Sequence, residues 1–279
     1  VLKNLGIGSI ALGFIAGFTG QELKRMAAEQ GLHTEFIELS QGITRINVKL
    51  REHDGTEING MGPVIDSEAT NLLMNQLRML KPGDMIVLAG SIPSTMSDSI
   101  YRDIMSELAP KGIDFVVDAT KKLLLNVLEF HPFLIKPNNH ELGEIFGVRL
   151  ETRDSVIPYA KKLQEMGARN VLVSMAGEGA VLVAENGQVF LLPAPKGVLV
   201  NAVGAGDSMV AGFIAAYIKC KNYEESFKMA VSCGSASAFS QGLANIEKIK
   251  NLCNVVVFES EIPSYTNPNK FRGNGYIYW

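Results

Sequence analysis

Asp207 closes the glycine turn in "VNAVGAGDSMVAGF", residues 200 to 213. An apolar run ends at Val203, Gly204, Ala205 and Gly206 follow, and a helical pattern with Met209, Phe213 and Tyr217 on one face begins. A glycine turn feeding a helix start leaves backbone N–H groups pointing outward, with the positive end of the helix dipole behind them. Such a turn attracts anions, including a phosphoryl group that gains charge in a transition state. A carboxylate in the first helical turn could accept the proton of an attacking hydroxyl, its role in phosphoryl transfer to an alcohol. The same aspartate also reads as a favourable first-turn acid with no chemistry at all. The motif is neither a Walker loop nor GxGxxG, because Met209 occupies the place of the third glycine.

Four further stretches carry polar residues just past apolar runs. In "KPNNHEL" (136–142), Lys136, Asn138 and Glu141 sit at a strand end, where α/β sheets bind ligands. Asn138 and Glu141, three apart, can face one way, and Glu141 could hold a magnesium ion through water. The competing reading is an Asn/Glu helix start of the capping-box type. "VSMAGEGA" (173–180) puts Ser174 and Gly179 where a nucleotide could approach closely, or simply forms a hairpin turn. Arg45 in "TRINV" is an unusual charge on an antiparallel patch and would suit a substrate phosphate if aimed into a cleft. Ser91 in "AGSIP" (89–93) lies beyond the carboxyl end of a strand. Each signal is weak alone; together they fall at successive strand ends.

The elements that must hold these residues alternate along the chain. "SIALGF" (9–14) reads as a strand, and "GQELKRMAAEQG" (20–31) as a helix closed by Gly31. "MIVLAGSIP" (85–93) reads as a buried strand running into a turn, and "DFVVDAT" (114–120) and "FLIKPN" (133–138) as strands followed by helices. Residues 169–194 read as a strand, a glycine turn and a hairpin turning at "ENGQ". Residues 198–203 read as the strand entering the Asp207 turn. Repeated β-α-β units with near-continuous apolar strands predict a parallel sheet covered by helices on both faces. Residues 33–62 break the rhythm with alternating apolar and polar positions around "HDGTE", predicting a half-buried antiparallel insertion that covers a site or forms an interface. Residues 254–279 are rich in Asn, Pro, Gly and Tyr and read as a loose tail with one short strand at 255–258.

Bulk properties narrow the function classes. The 279 residues suffice for a large core, and 47% hydrophobic with 20% charged residues is ordinary for a globular chain. A net charge of -3 without a long basic run argues against nucleic-acid binding. Three scattered cysteines argue against a disulfide framework or a zinc site and suit a reducing cytoplasm. No segment reaches the apolar length of a membrane span.

Taken together, "NAVGAGDSMVAGF" resembles the C-terminal signature of the PfkB carbohydrate kinases, a branch of the ribokinase-like fold, and "KPNNHE" resembles that family's N-x-x-E motif. "AGSIP", "TRINV" and "EINGMGP" resemble the 1-phosphofructokinase subgroup, and the similarity runs in order over residues 1–250. The resemblance implies a three-layer α/β fold whose mostly parallel sheet is flanked by helices, with a small antiparallel β lid that often mediates dimerisation. It implies one kinase domain over 1–253, with 33–62 as the lid insertion and 254–279 as an irregular tail. Asp207 matches the family's catalytic base and Gly204, Ala205 and Gly206 its anion hole. Lys136, Asn138, Glu141, Ser174 and Gly179 match the nucleotide and magnesium side. Arg45, Asn47 and Ser91 match positions near the phosphorylated sugar. The implied cofactors are ATP and Mg2+, the implied site of action is the cytoplasm, and the implied reaction converts fructose 1-phosphate to fructose 1,6-bisphosphate. Tagatose 6-phosphate kinase is the nearest alternative.

Two departures from the family pattern stand out. Ala202 replaces the usual Thr or Ser, a modest loss because the donors of the turn are backbone groups. Family members also open with a strand, part of the lid, a substrate aspartate and a Gly-Gly-Lys-Gly loop. Residues 1–60 contain no such loop, and "VLKNLGI" matches the helix that follows it. On this reading the chain is a truncated or incomplete frame without one sheet strand, half the lid and part of the sugar site. A missing inner strand would leave unpaired backbone groups on its neighbours. The rival reading of another class is therefore a non-catalytic, nucleotide-binding remnant.

Overall fold

The structure, a computed structural model, describes residues 1–49, 57–90, 92–93, 95–119, 121–256 and 277–278. After a single 3-10 turn at Lys3–Leu5, the chain forms β1 (Ser9–Ala16), α1 (Gly17–Glu29), β2 (His33–Leu39), β3 (Asn47–Lys49) and β4 (Glu57–Asn59). It continues through α2 (Ser67–Arg78), β5 (Met85–Ala89), α3 (Ile100–Leu108), β6 (Asp114–Asp118), α4 (Lys121–Leu125) and β7 (Leu134–Ile135). Next come α5 (Asn139–Phe146), α6 (Arg153–Glu165), β8 (Asn170–Ser174), β9 (Ala180–Val183) and β10 (Val189–Leu192). The last elements are α7 (Ala205–Cys220), α8 (Tyr223–Ala238), α9 (Ile246–Val255) and β11 (Ile277–Tyr278). The fold is mixed α/β with a mostly parallel sheet flanked by helices, as the β-α alternation predicts. No helix among the described residues is long and apolar enough to cross a membrane.

Two compact units divide the chain. The first comprises Ser9–Asp114 with Gly275–Trp279, the second Val1–Gly8 with Phe115–Asn274. In the first unit the strand order is β5-β11-β1-β2, and every pairing is parallel. The C-terminal strand β11 thus occupies the interior position between β1 and β5, with Ile277 beside Ser9 and Met85 and Tyr278 beside Ile10 and Ile86. The inner position left open by sequence reasoning holds a two-residue strand from the other end of the chain. Beyond those two residues, β1 and β5 flank an apolar cavity of about 210 Å³ lined by Leu12, Phe14, Leu73, Val87 and Met96. Tyr101 also lines it, with its hydroxyl donating to the Ala89 carbonyl at 3.0 Å.

The antiparallel insertion is smaller than expected. Residues His33–Leu39 pair in parallel with β1 over seven positions, so they belong to the main sheet. Among the described residues of 33–62, β3 and β4 form the antiparallel ribbon, with Asn47 opposite Asn59. The alternation in "HTEFIEL" misled because an edge strand with one exposed face carries the same period as a hairpin. Residues 50–56, which hold the "HDGTE" turn, lie outside the described residues.

In the second unit the order is β10-β9-β8-β7-β6, parallel through β6, β7 and β8 and antiparallel through β8, β9 and β10. The hairpin turning at 185–188 forms where the sequence places it. β8 and β9 are apolar and buried almost throughout, which supplies the core onto which α6 packs, while α8 packs against β10. α7 and α8 cross closely because both carry a glycine at the contact. A Cβ on Gly212 would lie 2.7 Å from the Met229 carbonyl oxygen, and one on Gly234 2.4 Å from Met209 Cγ. Ser208 and Ser237 hydroxyls, both buried, bond across this crossing at 2.8 Å.

Three local expectations need correction. Residues 198–203 form no strand; Val198 and Leu199 are exposed, and the Val200 and Asn201 N–H groups both donate to the Ala238 carbonyl. β-branched residues suggest a strand, but no strand among the described residues pairs with them. In "FLIKPN" only Leu134 and Ile135 are strand, because Pro137 lacks the N–H that a ladder needs. Val255 is the last residue of α9, not the start of a strand, and Phe258 lies outside the described residues.

Candidate active site

Gly204 is the N-cap of α7, with φ 77° and ψ 3°, a left-handed conformation that favours glycine. This residue turns the chain abruptly into the helix. The Ala205 N–H donates to Ala202 O at 3.2 Å and the Ser208 N–H to Gly204 O at 2.9 Å. Between them, the Gly206 and Asp207 N–H groups have no acceptor among the described residues. These are the orphan donors of a helix start, with the helix dipole behind them. Asp207 is exposed, while Ser208, Met209 and Val210, next along the helix, are buried. The first turn therefore presents a carboxylate and two N–H donors to solvent from a fixed helix.

Lys136 lies against this turn. Its side chain is 8% exposed and pairs with Asp118 at 3.2 Å, whose side chain is 19% exposed. A Cβ built on Gly206 would stand 3.1 Å from Lys136 Nζ and 3.3 Å from its Cε. Glycine at 206 is thus what lets the ammonium come up against the backbone of the α7 first turn. Burial pushes the Asp118 carboxyl above the usual range, Lys136 pulls it down, and the negative charges of Asp207 and Glu141 push it further up. Asp118, Lys136, Glu141 and Asp207 therefore belong to one electrostatic neighbourhood.

Asn138 and Glu141 realise the capping-box reading in full. Asn138 Oδ1 accepts the Glu141 N–H at 2.8 Å, and Glu141 Oε2 accepts the Asn138 N–H at 2.8 Å. The structural role occupies one carboxylate oxygen and leaves the partly exposed carboxylate at the strand end. Ser174 ends β8 beside Asn138, with which it forms an isolated parallel bridge. Gly179 is buried, with φ 95°, and a Cβ there would lie 2.0 Å from Leu192 O. Its glycine is explained by the close passage of β10 rather than by a ligand.

Arg45 and Asn47 belong to the first unit. Arg45 is exposed just ahead of β3, and Asn47 opens that strand, also exposed. Ser91 lies outside the described residues. The residues from the second unit, Lys136, Asn138, Glu141, Ser174, Gly204, Ala205, Gly206 and Asp207, share the carboxyl-end side of β6 to β8 and the α7 start.

A comparison with family models matches pfkB family carbohydrate kinases over residues 1–250. The chain belongs to the pfkB family. Among curated relatives, it is 46% identical over 252 residues to a 1-phosphofructokinase of Bacillus subtilis, covering 90% of this chain and 82% of the relative. A D-tagatose-1-phosphate kinase of Bacillus licheniformis is 32% identical, covering 89% of this chain and 82% of that one. Among solved structures, phosphofructokinase-2 of Escherichia coli in complex with substrates and products matches with a TM-score of 0.84. That likeness covers 91% of this chain and 84% of the other, and at 24% identity it shows the fold.

Within this pfkB chain, one member of the site escaped sequence reading. "DFVVDAT" by its pattern predicts a strand and no site residue, yet its second aspartate, Asp118, ends β6 and pairs with Lys136. The signal was present: a carboxylate at the carboxyl end of a parallel strand is placed where such sheets bind ligands.

Proposed function

We propose that this chain phosphorylates a sugar phosphate from ATP, converting fructose 1-phosphate to fructose 1,6-bisphosphate. The observation that carries the reading is the α7 start: Asp207 exposed in the first turn, two N–H donors beside it, and buried Lys136 against Gly206. The 46% identity to a 1-phosphofructokinase over most of the chain favours this sugar. A tagatose phosphate is the second reading, supported by the D-tagatose-1-phosphate kinase among the relatives.

In this mechanism Asp207 accepts the proton of the sugar hydroxyl as that oxygen attacks the terminal phosphorus of ATP. The bond from phosphorus to the bridging oxygen of ADP breaks, and the electron pair leaves with ADP. The N–H groups of Gly206 and Asp207 and the Lys136 ammonium face the charge that accumulates on the transferring oxygens. Lys136, Asn138, Glu141 and Ser174 form the nucleotide side, with Gly179 shaping the turn next to it. Arg45, Asn47 and Ser91 serve the phosphorylated sugar.

The donor set also fits magnesium in its usual form. Among the described residues no group of three acidic or histidine side chains could cage a metal. Glu141, however, keeps one oxygen outside its capping bond, and Mg2+ favours a few carboxylates and several waters. Bound there through water, the ion would screen the phosphate charges of the nucleotide. The free thiols of Cys220, Cys233 and Cys253 suit a cytoplasmic enzyme, and the β3–β4 ribbon is the candidate dimer surface.

The test is phosphoryl transfer from Mg-ATP to fructose 1-phosphate, tagatose 1-phosphate, tagatose 6-phosphate and fructose 6-phosphate, with Asp207→Asn as control. Turnover on fructose 1-phosphate, lost in the variant, is the expected result. Folded protein that binds nucleotide but phosphorylates none of the four would overturn the reading in favour of a non-catalytic remnant.

A further inference from the structure

The carboxylate of Asp118 has no part in the proton transfer just described, yet it is the acidic partner of Lys136 among the described residues. We propose that Asp118 is a positioning residue, whose ion pair holds the Lys136 ammonium against the first turn of α7. The proposal rests on the kinase reading above and adds a residue to it.

Three observations support it. First, Lys136 is the residue after β7 and its side chain is nearly closed to solvent, so solvent contributes little to orienting its ammonium. Second, an ammonium has three donors and its four-carbon stem is flexible, so a single carboxylate at 3.2 Å selects one rotamer out of many. Third, the selected place is functional in its geometry: Nζ lies 3.1 Å from where a Gly206 Cβ would be, at the backbone whose N–H groups lack acceptors. β6 and β7 are adjacent parallel strands, with Val116 beside Leu134 and Val117 beside Ile135, so Asp118 and Lys136 are held in register by the sheet itself. Without Asp118, the buried ammonium would face the site unpaired and would move.

The experiment is a double-mutant cycle in the full chain, using Asp118→Asn, Lys136→Met and the pair, with Asp118→Glu as the conservative variant. Turnover gives kcat and both KM values, and calorimetry with Mg and a non-hydrolysable ATP analogue gives binding separately. Thermal melts identify any variant that fails to fold. Asp118→Asn is expected to lower kcat about 10- to 100-fold, as a misplaced catalytic group does, with the sugar-phosphate KM within about twofold of the parent. Asp118→Glu should recover part of the loss. With Lys136→Met already present, removing Asp118 should cost less than about threefold more, because its effect passes through the lysine.

Independent, multiplicative losses at the two positions would overturn the proposal, as would an Asp118→Asn enzyme with unchanged kcat. If the parent chain binds the analogue but transfers to no sugar, the kinase reading fails. The cycle is then read in binding alone, where non-additivity supports the ion-pair role and additivity overturns it. If the parent chain binds no nucleotide either, both readings fail.

Discussion

Asp207 combines an exposed carboxylate with a rigid base, since the three residues after it in α7 are buried. Its replacement by Asn keeps size and polarity but removes the basic site. Turnover should fall about 10²- to 10⁴-fold, the usual contribution of a positioned general base, with little change in melting temperature. Gly206 allows a sharper test of geometry. In Gly206→Ala the new methyl would stand 3.1 Å from Lys136 Nζ, which is the far end of a flexible side chain and can yield. The protein should therefore stay folded while kcat drops about 10- to 100-fold, because the ammonium is displaced from the α7 turn. Comparing kcat and the urea midpoint of this variant with the parent checks both halves of the expectation.

The β8–β9–β10 meander depends on one backbone position. Gly179 has φ 95° and its absent Cβ points at Leu192 O, 2.0 Å away, and that oxygen is backbone and cannot swing aside. Gly179→Ala should destabilise the protein by about 2–4 kcal/mol through strain and overpacking together, measured by urea denaturation. An unchanged midpoint would mean the β10 crossing is looser than described. Helix α8 supplies a chemical probe of the same kind. Burial pushes the Cys233 thiol up to about 12, with Cys253 adding to the shift, whereas Cys220 at the end of α7 is exposed. At pH 8 an alkylating reagent should modify Cys220 in the native protein and reach Cys233 only after denaturation, as peptide mass mapping would show.

On the scale of the whole molecule, the C-terminal strand β11 is the least expected feature, since it pairs with β1 on one side and β5 on the other. Deleting residues 275–279 should lower stability by about 2–4 kcal/mol, a few hydrogen bonds at about 1 kcal/mol each, and raise aggregation through the two edges it exposes. Thermal melts and light scattering of the shortened chain would check this; an unaltered melt would count against the interior placement. How far all this was legible depends on the range of the interactions. The alternation of strands and helices, the α7 turn, the 185–188 hairpin and the capping box at Asn138 were readable, because period, glycine and capping chemistry act over a few residues. The assignment of His33–Leu39 to the parallel sheet was not, since an alternating pattern states that one face is exposed but not which strand lies alongside. Nor was the absence of a strand at 198–203, for the same reason. The site divides along the same line. Asp207 and its glycine turn are local and were named by residue type and spacing. The Asp118–Lys136 pair spans two strands, and only the sheet register that sets Val117 beside Ile135 brings that carboxylate and ammonium within 3.2 Å. Composition and spacing determined the chemistry available to this chain; the pairing of strands decided which charges meet, because an ion pair is set by distance in space and not by separation along the chain.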